Sequence, residues 1–165
     1  VKHWHGAAPD TGATHLAVAE LIDGNGVTWL QKVSDEEYGT VASQTASKSN
    51  HIEIIRSGSR PTGVAAAQNF TGIARTDGIF PAKSGTRFYG AYVSFEPASR
   101  TNWHTHVNGQ TILVTMGRGF FKQEGEPAVE VREGDMVWIP AEVNHFHAAP
   151  PDTSFVTISM AETPE

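Results

Sequence analysis

The amino-acid sequence contains no cysteine in its 165 residues. This absence excludes disulfide bonds, thiolate nucleophiles and cysteine-bound zinc from the chain. No apolar run of about 18 residues or more occurs, so the sequence predicts no membrane-spanning helix. Basic residues are also few, since 12 Lys and Arg oppose 18 Asp and Glu and give a net charge of −6. That balance disfavours nucleic acids and anionic membranes as partners.

The remaining composition is typical of an ordinary globular protein, with 39% hydrophobic and 18% charged residues. The first residues do not show the basic, then apolar, then small-residue pattern of a signal peptide, and we expect a cytoplasmic location. Histidine is the unusual feature, because eight histidines occur in three close groups. Their spacing carries the strongest functional signal in the sequence.

The chain changes in composition along its length. Residues 1–42 end in VSDEEYGTV, in which Ser34 and Glu37 have the spacing of a capping box for a short helix. Residues 43–50 are small and polar without periodicity, which is typical of a linker. The segment HIEIIRSG, which begins at His51, predicts a short strand. We therefore divide the chain into an N-terminal segment 1–42, the linker 43–50 and a main domain 51–165.

The main domain is rich in strand signals. After a Gly- and Pro-broken stretch up to Ser84, which predicts loops with brief strands, the sequence is free of helical periodicity. Short segments rich in β-branched and aromatic residues alternate there with turn residues: RFYGAYVSFEP, TNWHTHV, QTILVTMG, GFFKQEG, AVEVREG, DMVWIPA, NHFHAAP and TSFVTISMAE. About eight strands at this spacing predict an all-β antiparallel sandwich or barrel.

An internal repeat relates the two ends of the chain. HWHGAAPDT at 3–11 matches HFHAAPPDT at 145–153, and without a gap the match extends to Ala-Glu at 19–20 and 161–162. The simplest interpretation is that residues 1–20 are the last strands of a preceding domain of the same type. The chain would then be a fragment of a two-barrel protein, or a permuted barrel.

His104 and His106 are two residues apart, which on a strand directs both imidazoles to one face. Gln110 follows after the sequence Val-Asn-Gly. A two-residue Asn-Gly turn would place Gln110 on the opposite face, whereas a three-residue loop with a left-handed Gly109 would place it opposite His106. A shared metal ion needs the second arrangement. His145, on a later strand, is the fourth candidate ligand.

Three imidazoles and an amide oxygen suit a first-row divalent transition metal better than calcium or magnesium. His147 and His5 are weaker candidates, because each is the second member of a His-x-His pair and could instead form hydrogen bonds inside a barrel. His3 and His51 carry no independent signal.

These spacings resemble the two motifs of the cupin family, with glutamine where the first motif usually has glutamate. The matching residues are His104, His106, Gln110, Gly117, Gly134, Pro140 and His145. The sequence departs from the second motif at Glu142 and Ala149, neither of which is a metal ligand. The resemblance implies an all-β cupin β-barrel, or jelly roll, over 51–165. Residues 1–42 would be the closing strands and short helix of a second, incomplete cupin repeat.

The glutamine variant resembles the small bacterial cupins of the manganese-dependent (R)-hydroxynitrile lyase type. That resemblance implies a metal ion held by His104, His106, His145 and Gln110. Mn(II) is the first choice, and Fe(II), Ni(II), Co(II) and Zn(II) are alternatives. It also implies a small-molecule substrate and a homodimer, or pairing with a second cupin repeat. Glutamine in place of glutamate removes one negative charge, so the ion is a stronger Lewis acid.

Members of that type carry a further histidine in the closing strand, which can serve as a general base. In the N-terminal segment this position is His15. In the main domain the repeat places Thr157 there, and threonine is not a base near neutral pH. Thr101 and His147 are the other candidate catalytic residues, as a hydrogen-bond donor and a proton carrier.

Three functions remain open on this sequence. The first is a metal-dependent carbon–carbon lyase that activates a hydroxyl or carbonyl group. The second is a cupin oxygenase or isomerase that acts on a small organic acid. The third is a non-catalytic barrel that binds a metal or ligand beside an active cupin domain, for which Thr157 is the expected residue.

Overall fold

Of the 165-residue chain, the computed structural model describes residues 2–8, 10–21, 23–39, 52–80 and 86–163. The chain divides into two compact units, Val1–Ile55 and Arg56–Glu165. The predicted linker 43–50 lies outside the described residues, as does His51, where we placed the start of the main domain. Among the described residues, no helix is long and apolar enough to cross a membrane.

The N-terminal unit contains the short helix α1 (Asp35–Gly39), and its start has the predicted capping box. The Glu37 N–H donates to Ser34 Oγ at 3.2 Å, and the Ser34 N–H donates to the Glu37 carboxylate at 3.0 Å. These reciprocal bonds satisfy two donors that the first turn of a helix leaves free. Hydrogen bonds from Ser34 also hold the pKa of the Glu37 carboxyl below its usual range.

Two strand predictions near the N-terminus have different outcomes. Residues 2–8 and 10–21, as far as the structure describes them, form no strand. A strand needs a hydrogen-bonded neighbour, so the assignment of this segment to a preceding barrel stays a prediction. The short strand predicted for HIEIIRSG is wrong over 52–58, where the chain runs without a ladder into a turn. Among the described residues, no strand pairs with this segment, so its apolar alternation forms no ladder.

The C-terminal unit is all-β and antiparallel, as predicted. Its strands, in chain order, are β1 (Gly63–Val64), β2 (Phe70–Thr71), β3 (Ala74–Phe80), β4 (Phe88–Phe95), β5 (Arg100–Thr101), β6 (Gln110–Gln123), β7 (Val129–Arg132), β8 (Met136–Ile139), β9 (His145–Ala148) and β10 (Phe155–Glu162). They form one strongly curled sheet in the order β1-β3-β4-β10-β6-β9-β5-β2, and β7 and β8 pair with β6.

Strand β6 connects the two halves of the curled sheet. Its first half pairs with β10 and β8, and its second half pairs with β9 and β7. The sequence predicts two strands here, separated at Gly117, but the structure shows one strand of 14 residues. Gly117 has a φ of +77°, so the strand turns sharply there without ending. A Cβ at this position would lie 2.2 Å from the Ser154 carbonyl oxygen.

The core of this unit lies between the two halves of the sheet. Phe95, Ile112, Val114 and Phe155 are almost fully buried there. Burial of each such side chain contributes roughly 1.5–3 kcal/mol to the free energy of unfolding. The core extends to the histidines through Phe121, whose ring stacks on that of His147 with centroids 4.7 Å apart.

Candidate metal centre

Four histidine side chains meet on the inner side of the curled sheet. The ring centroid of His104 lies 4.3 Å from that of His145, 5.1 Å from that of His106 and 5.2 Å from that of His147. One ring nitrogen from each of His104, His145 and His147 lies within 4.8 Å of the others. The cluster is therefore compact enough for several imidazoles to bind one ion.

The pair His104 and His106 reaches this cluster by a different route from the predicted one. The strand expected over TNWHTHV is limited to Arg100–Thr101, followed by a single bridge at His104. In that bridge, the N–H of His104 donates to the His145 carbonyl and the N–H of His145 donates to the His104 carbonyl, each at 3.0 Å. His106 lies in the following turn, so the loop and not strand alternation brings its ring to the cluster.

The turn between His106 and Gln110 has the glycine conformation that a three-residue loop requires. Gly109 has a φ of +79°, and its N–H donates to the His106 carbonyl at 3.2 Å. Gln110 then begins β6, where its side chain is buried and its backbone pairs with Ile139 and Ala161. The chain thus returns to the sheet with Gln110 on the inner face.

Backbone carbonyls orient two of the imidazoles. His104 Nδ1 lies 2.9 Å from the Asn102 carbonyl oxygen, and His145 Nδ1 lies 2.8 Å from that of Val143. Since a carbonyl can only accept, each Nδ1 is the protonated nitrogen. Nε2 of each ring is left with a free lone pair in the neutral tautomer, which is the form that binds a metal.

Several buried polar atoms in this cluster have no hydrogen-bond partner, and they are His106 Nε2, Gln110 Oε1, His145 Nε2 and His147 Nε2. An unsatisfied buried polar atom costs about 1–3 kcal/mol, and native proteins contain few of them. All four atoms can act as electron-pair donors. An ion among them would compensate for the missing hydrogen bonds, so the side chains present fit a divalent metal.

The same imidazoles resist protonation. Burial, helped by the neighbouring His104 and His145, lowers the pKa of His106 to about 4, although the Gln110 side chain opposes this shift. Burial also lowers the pKa of His145, against the opposing effect of its bond to Val143. A metal ligand must be neutral, so these shifts keep the side chains ready to bind at neutral pH.

His147 is more central than its sequence signal suggests. It is fully enclosed, and burial lowers its pKa well below the ordinary value, with His104 as the next cause. One of its ring nitrogens lies within 4.8 Å of a ring nitrogen of His104 and of His145, in a group of three that does not include His106. The signal was available in the sequence, because His145 and His147 are two apart on one strand and so share a face.

The other candidate catalytic residues lie in different places. Thr101 is buried, and its Oγ1 accepts a hydrogen bond from the His147 N–H at 3.0 Å. Thr157 is 0% exposed, and its hydroxyl lies 3.4 Å from that of Ser159. His15 belongs to the N-terminal unit, where its ring meets the edge of His5 at a centroid distance of 4.9 Å.

The curled antiparallel sheet and its histidine cluster define a class of protein: the chain belongs to the cupin family. The family model described as Cupin domain matches residues 91–160. Among characterised proteins, the chain is similar to the (R)-mandelonitrile lyase of Granulicella tundricola. The two are 41% identical over 111 residues, which cover 67% of this chain and 85% of the lyase.

Solved structures support the same assignment of the fold. A cupin-like protein from Thermotoga maritima is 35% identical, with a TM-score of 0.58, over 67% of this chain and 81% of its own. A predicted oxalate decarboxylase from the same organism has a TM-score of 0.60 over 68% of this chain and 100% of its own. The second is only 16% identical, so it shows the fold alone.

Proposed function

We propose that this chain is a metal-dependent carbon–carbon lyase that cleaves a small hydroxynitrile into a carbonyl compound and hydrogen cyanide. The observation that carries the proposal is the set of four buried donor atoms without hydrogen-bond partners, two of which lie on His106 and Gln110. The similarity to a mandelonitrile lyase at 41% identity favours this reaction among those that cupins perform.

In this proposal His104, His106, His145 and Gln110 hold the ion, and Mn(II) is the first candidate. A bound divalent ion supplies positive charge that polarises the substrate oxygen. The chain contributes an uncharged set of ligands, because imidazoles bind a metal in their neutral form and glutamine carries no charge. The absence of a carboxylate among these four side chains keeps the positive charge of the site available to the substrate.

The proton transfers fall to His147 in this proposal. Its Nε2 has no hydrogen-bond partner, and its lowered pKa leaves the ring unprotonated at neutral pH, so it is available to take the proton of the substrate hydroxyl group. As the carbonyl forms, the bond to the nitrile carbon breaks and its electron pair leaves with cyanide. His147 then returns the proton, which yields hydrogen cyanide. Phe121 stacks on this imidazole and excludes water from it, and the hydroxyl hydrogen of Thr101 is free to donate to the substrate.

To test this proposal, the full chain is loaded with Mn(II) and mixed with (R)-mandelonitrile. Cleavage is followed by the absorbance of the benzaldehyde that forms. We expect cleavage that chelation abolishes and Mn(II) restores. His145→Ala should remove it, whereas Phe146→Leu should retain it, because Phe146 lies on the opposite face of β9 against Trp103. Cleavage by the wild type no faster than by His145→Ala would disprove the lyase proposal.

A second candidate is a non-catalytic barrel that binds a ligand at the metal. The observation in its favour is Thr157, which is wholly buried where the repeat aligns His15. Saturable Mn(II) binding by a wild type that cleaves no hydroxynitrile would favour this second candidate over the lyase. The variant His15→Ala should cleave as the wild type does, because the proposal places the proton transfers on His147, and loss of cleavage with unchanged Mn(II) binding would contradict that assignment. Oxygen consumption with Fe(II) would instead indicate an oxygenase.

A further inference from the structure

The candidate ligands fall into two pairs that are held in different ways. His104 and His145 are joined by two backbone hydrogen bonds, and carbonyl groups fix both rings through Nδ1. His106 and Gln110 lie at the two ends of one turn, which we call the ligand turn (106–110). Their Nε2 and Oε1 atoms have no hydrogen-bond partner. The strand pairing of β6 fixes the backbone of Gln110, so the ring of His106 and the approach to Gln110 depend most on what holds the ligand turn.

Two backbone hydrogen bonds hold one end of the ligand turn. The His106 carbonyl accepts one from the Gly109 N–H at 3.2 Å and one from the Glu142 N–H at 2.9 Å. The first bond lies within the turn, so only the second ties this carbonyl to another segment. Val107 at the tip of the turn is exposed.

The other end of the ligand turn packs against an indole ring. A Cβ added at Gly109 would lie 2.8 Å from Trp138 Cη2 and 2.7 Å from the Ile139 carbonyl oxygen. The Trp138 ring therefore lies directly against the Gly109 backbone, one residue before Gln110. This close approach is possible only because Gly109 has no side chain.

Trp138 is not part of the hydrophobic core. Its side chain is 61% exposed, and it lies on the outer face of β8, opposite Thr111. Met136 occupies the same face of the same strand two residues earlier, and it is 63% exposed. Met136 pairs with Leu113 and so lies farther along β6, away from the ligand turn. What distinguishes Trp138 is its contact with Gly109.

We propose that Trp138 is a positioning residue for the metal centre. Its indole, packed on Gly109, fixes the ligand turn so that His106 Nε2 and Gln110 Oε1 stay beside the rings of His104 and His145. The inference rests on the metal-binding part of the proposed function and does not depend on which reaction follows. Outer-shell hydrogen-bond partners of metal ligands commonly change metal affinity by about 10- to 100-fold, and for a packing contact we expect the lower end of that range.

The test measures Mn(II) binding to the full chain by titration, with the free ion followed by electron paramagnetic resonance. We expect Trp138→Ala to weaken binding about tenfold or more. Met136→Ala, the matched control, should bind as the wild type does. Trp138→Phe should bind Mn(II) with intermediate affinity, because its smaller ring lacks the Cη2 and Cζ2 atoms that lie nearest to Gly109. The thermal unfolding of the metal-free variants should remain within a few degrees of the wild type.

Equal Mn(II) affinities of Trp138→Ala and the wild type would overturn the proposal. Equal losses in Trp138→Ala and Met136→Ala would also overturn it, because the effect would then be a general one of the outer face. If Trp138→Ala fails to fold, Trp138→Leu takes its place with the same expectation. Intact Mn(II) binding without cleavage rejects only the lyase reaction, whereas a wild type without saturable Mn(II) binding rejects both proposals.

Discussion

At the scale of single residues, the buried histidines couple stability to pH. The pKa of His106 is lowered to about 4, and those of His145 and His147 are lowered as well. Imidazoles in an unfolded chain take up protons near pH 6.5. Below that pH the unfolded state therefore binds more protons than the folded state, and the free energy of unfolding falls as the pH falls. We expect urea unfolding of the metal-free protein to show this decrease between pH 7 and pH 5.

The variant His147→Phe separates the contribution of the fully buried ring. Phenylalanine retains an aromatic side chain against Phe121 but cannot take a proton, so the decrease between pH 7 and pH 5 should be smaller. A decrease as steep as that of the wild type would show that His147 does not contribute to it.

The charge of the fourth candidate ligand gives a second prediction at this scale. Gln110→Glu adds a negative charge to the site, which should strengthen Mn(II) binding by about tenfold, or about 1.4 kcal/mol. The same charge lowers the Lewis acidity of the ion, so mandelonitrile cleavage should become slower. Calorimetric titration and the cleavage assay measure the two effects. Gln110→Ala is the control, and we expect it to bind Mn(II) more weakly than the wild type. Unchanged Mn(II) binding in both variants would contradict a role for the Gln110 side chain as a ligand.

At the scale of elements, the bend in β6 depends on Gly117. Gly117→Ala forces a Cβ to within 2.2 Å of the Ser154 carbonyl oxygen at a φ of +77°. Gly125 has a similar φ of +81° but open space around it. We expect Gly125→Ala to cost about 1 kcal/mol from backbone strain alone and Gly117→Ala to cost about 3 kcal/mol or more. Urea unfolding measures both, and similar losses would show that the contact with Ser154 is unimportant.

The sequence predicts the strands on both sides of this bend, but it does not predict that they are one continuous strand. Alternation along QTILVTMG and GFFKQEG predicts the strands, because inward residues such as Ile112 and Phe121 recur at every second position. The sequence does not show whether Gly117 ends a strand or bends it, since both uses of glycine require the same backbone freedom. That choice depends on β10, whose ladder with β6 ends at the bend, where Phe155 pairs with Gly117 from 38 residues away in the sequence.

For the histidine cluster, local spacing predicted that the rings of His104, His106 and His145 come together, but not how they are held. The strand predicted around His104 is replaced by a bridge and a turn, yet the rings of His104 and His106 still meet. Spacing places His147 on the same face as His145, but it does not give the distance from His147 to His104, which depends on how β9 packs in the curled sheet. The contact of Trp138 with Gly109 joins two segments that no local pattern relates.

At the scale of the whole molecule, the C-terminal unit contains its own core. The buried cluster that includes Ala74, Phe95, Ile112 and Phe155 lies within this unit. We expect a chain that starts at Arg56 to unfold cooperatively and to bind one Mn(II) ion per chain. Circular dichroism and metal analysis by mass spectrometry test this, with the full chain as the control. Loss of cooperative unfolding would show that the N-terminal unit is needed for the fold.

Two further expectations at this scale remain predictions. The resemblance implies a homodimer, which sedimentation velocity can test on the full chain. The repeat between 3–11 and 145–153 implies that the N-terminal unit derives from a second cupin repeat. The gene sequence upstream of Val1 will show whether such a repeat is present.

The carbonyl groups that orient His104 and His145 have a consequence for how the site can evolve. Both acceptors are main-chain atoms, of Asn102 and Val143, and every amino acid provides such an atom. Replacement of either side chain leaves the acceptor in place, provided that the backbone keeps its path. The tautomer of each ring is thus inherited with the fold, and descendants can diverge around the site without losing it. The neutral ligand set can therefore persist while the surrounding pocket adapts to new substrates.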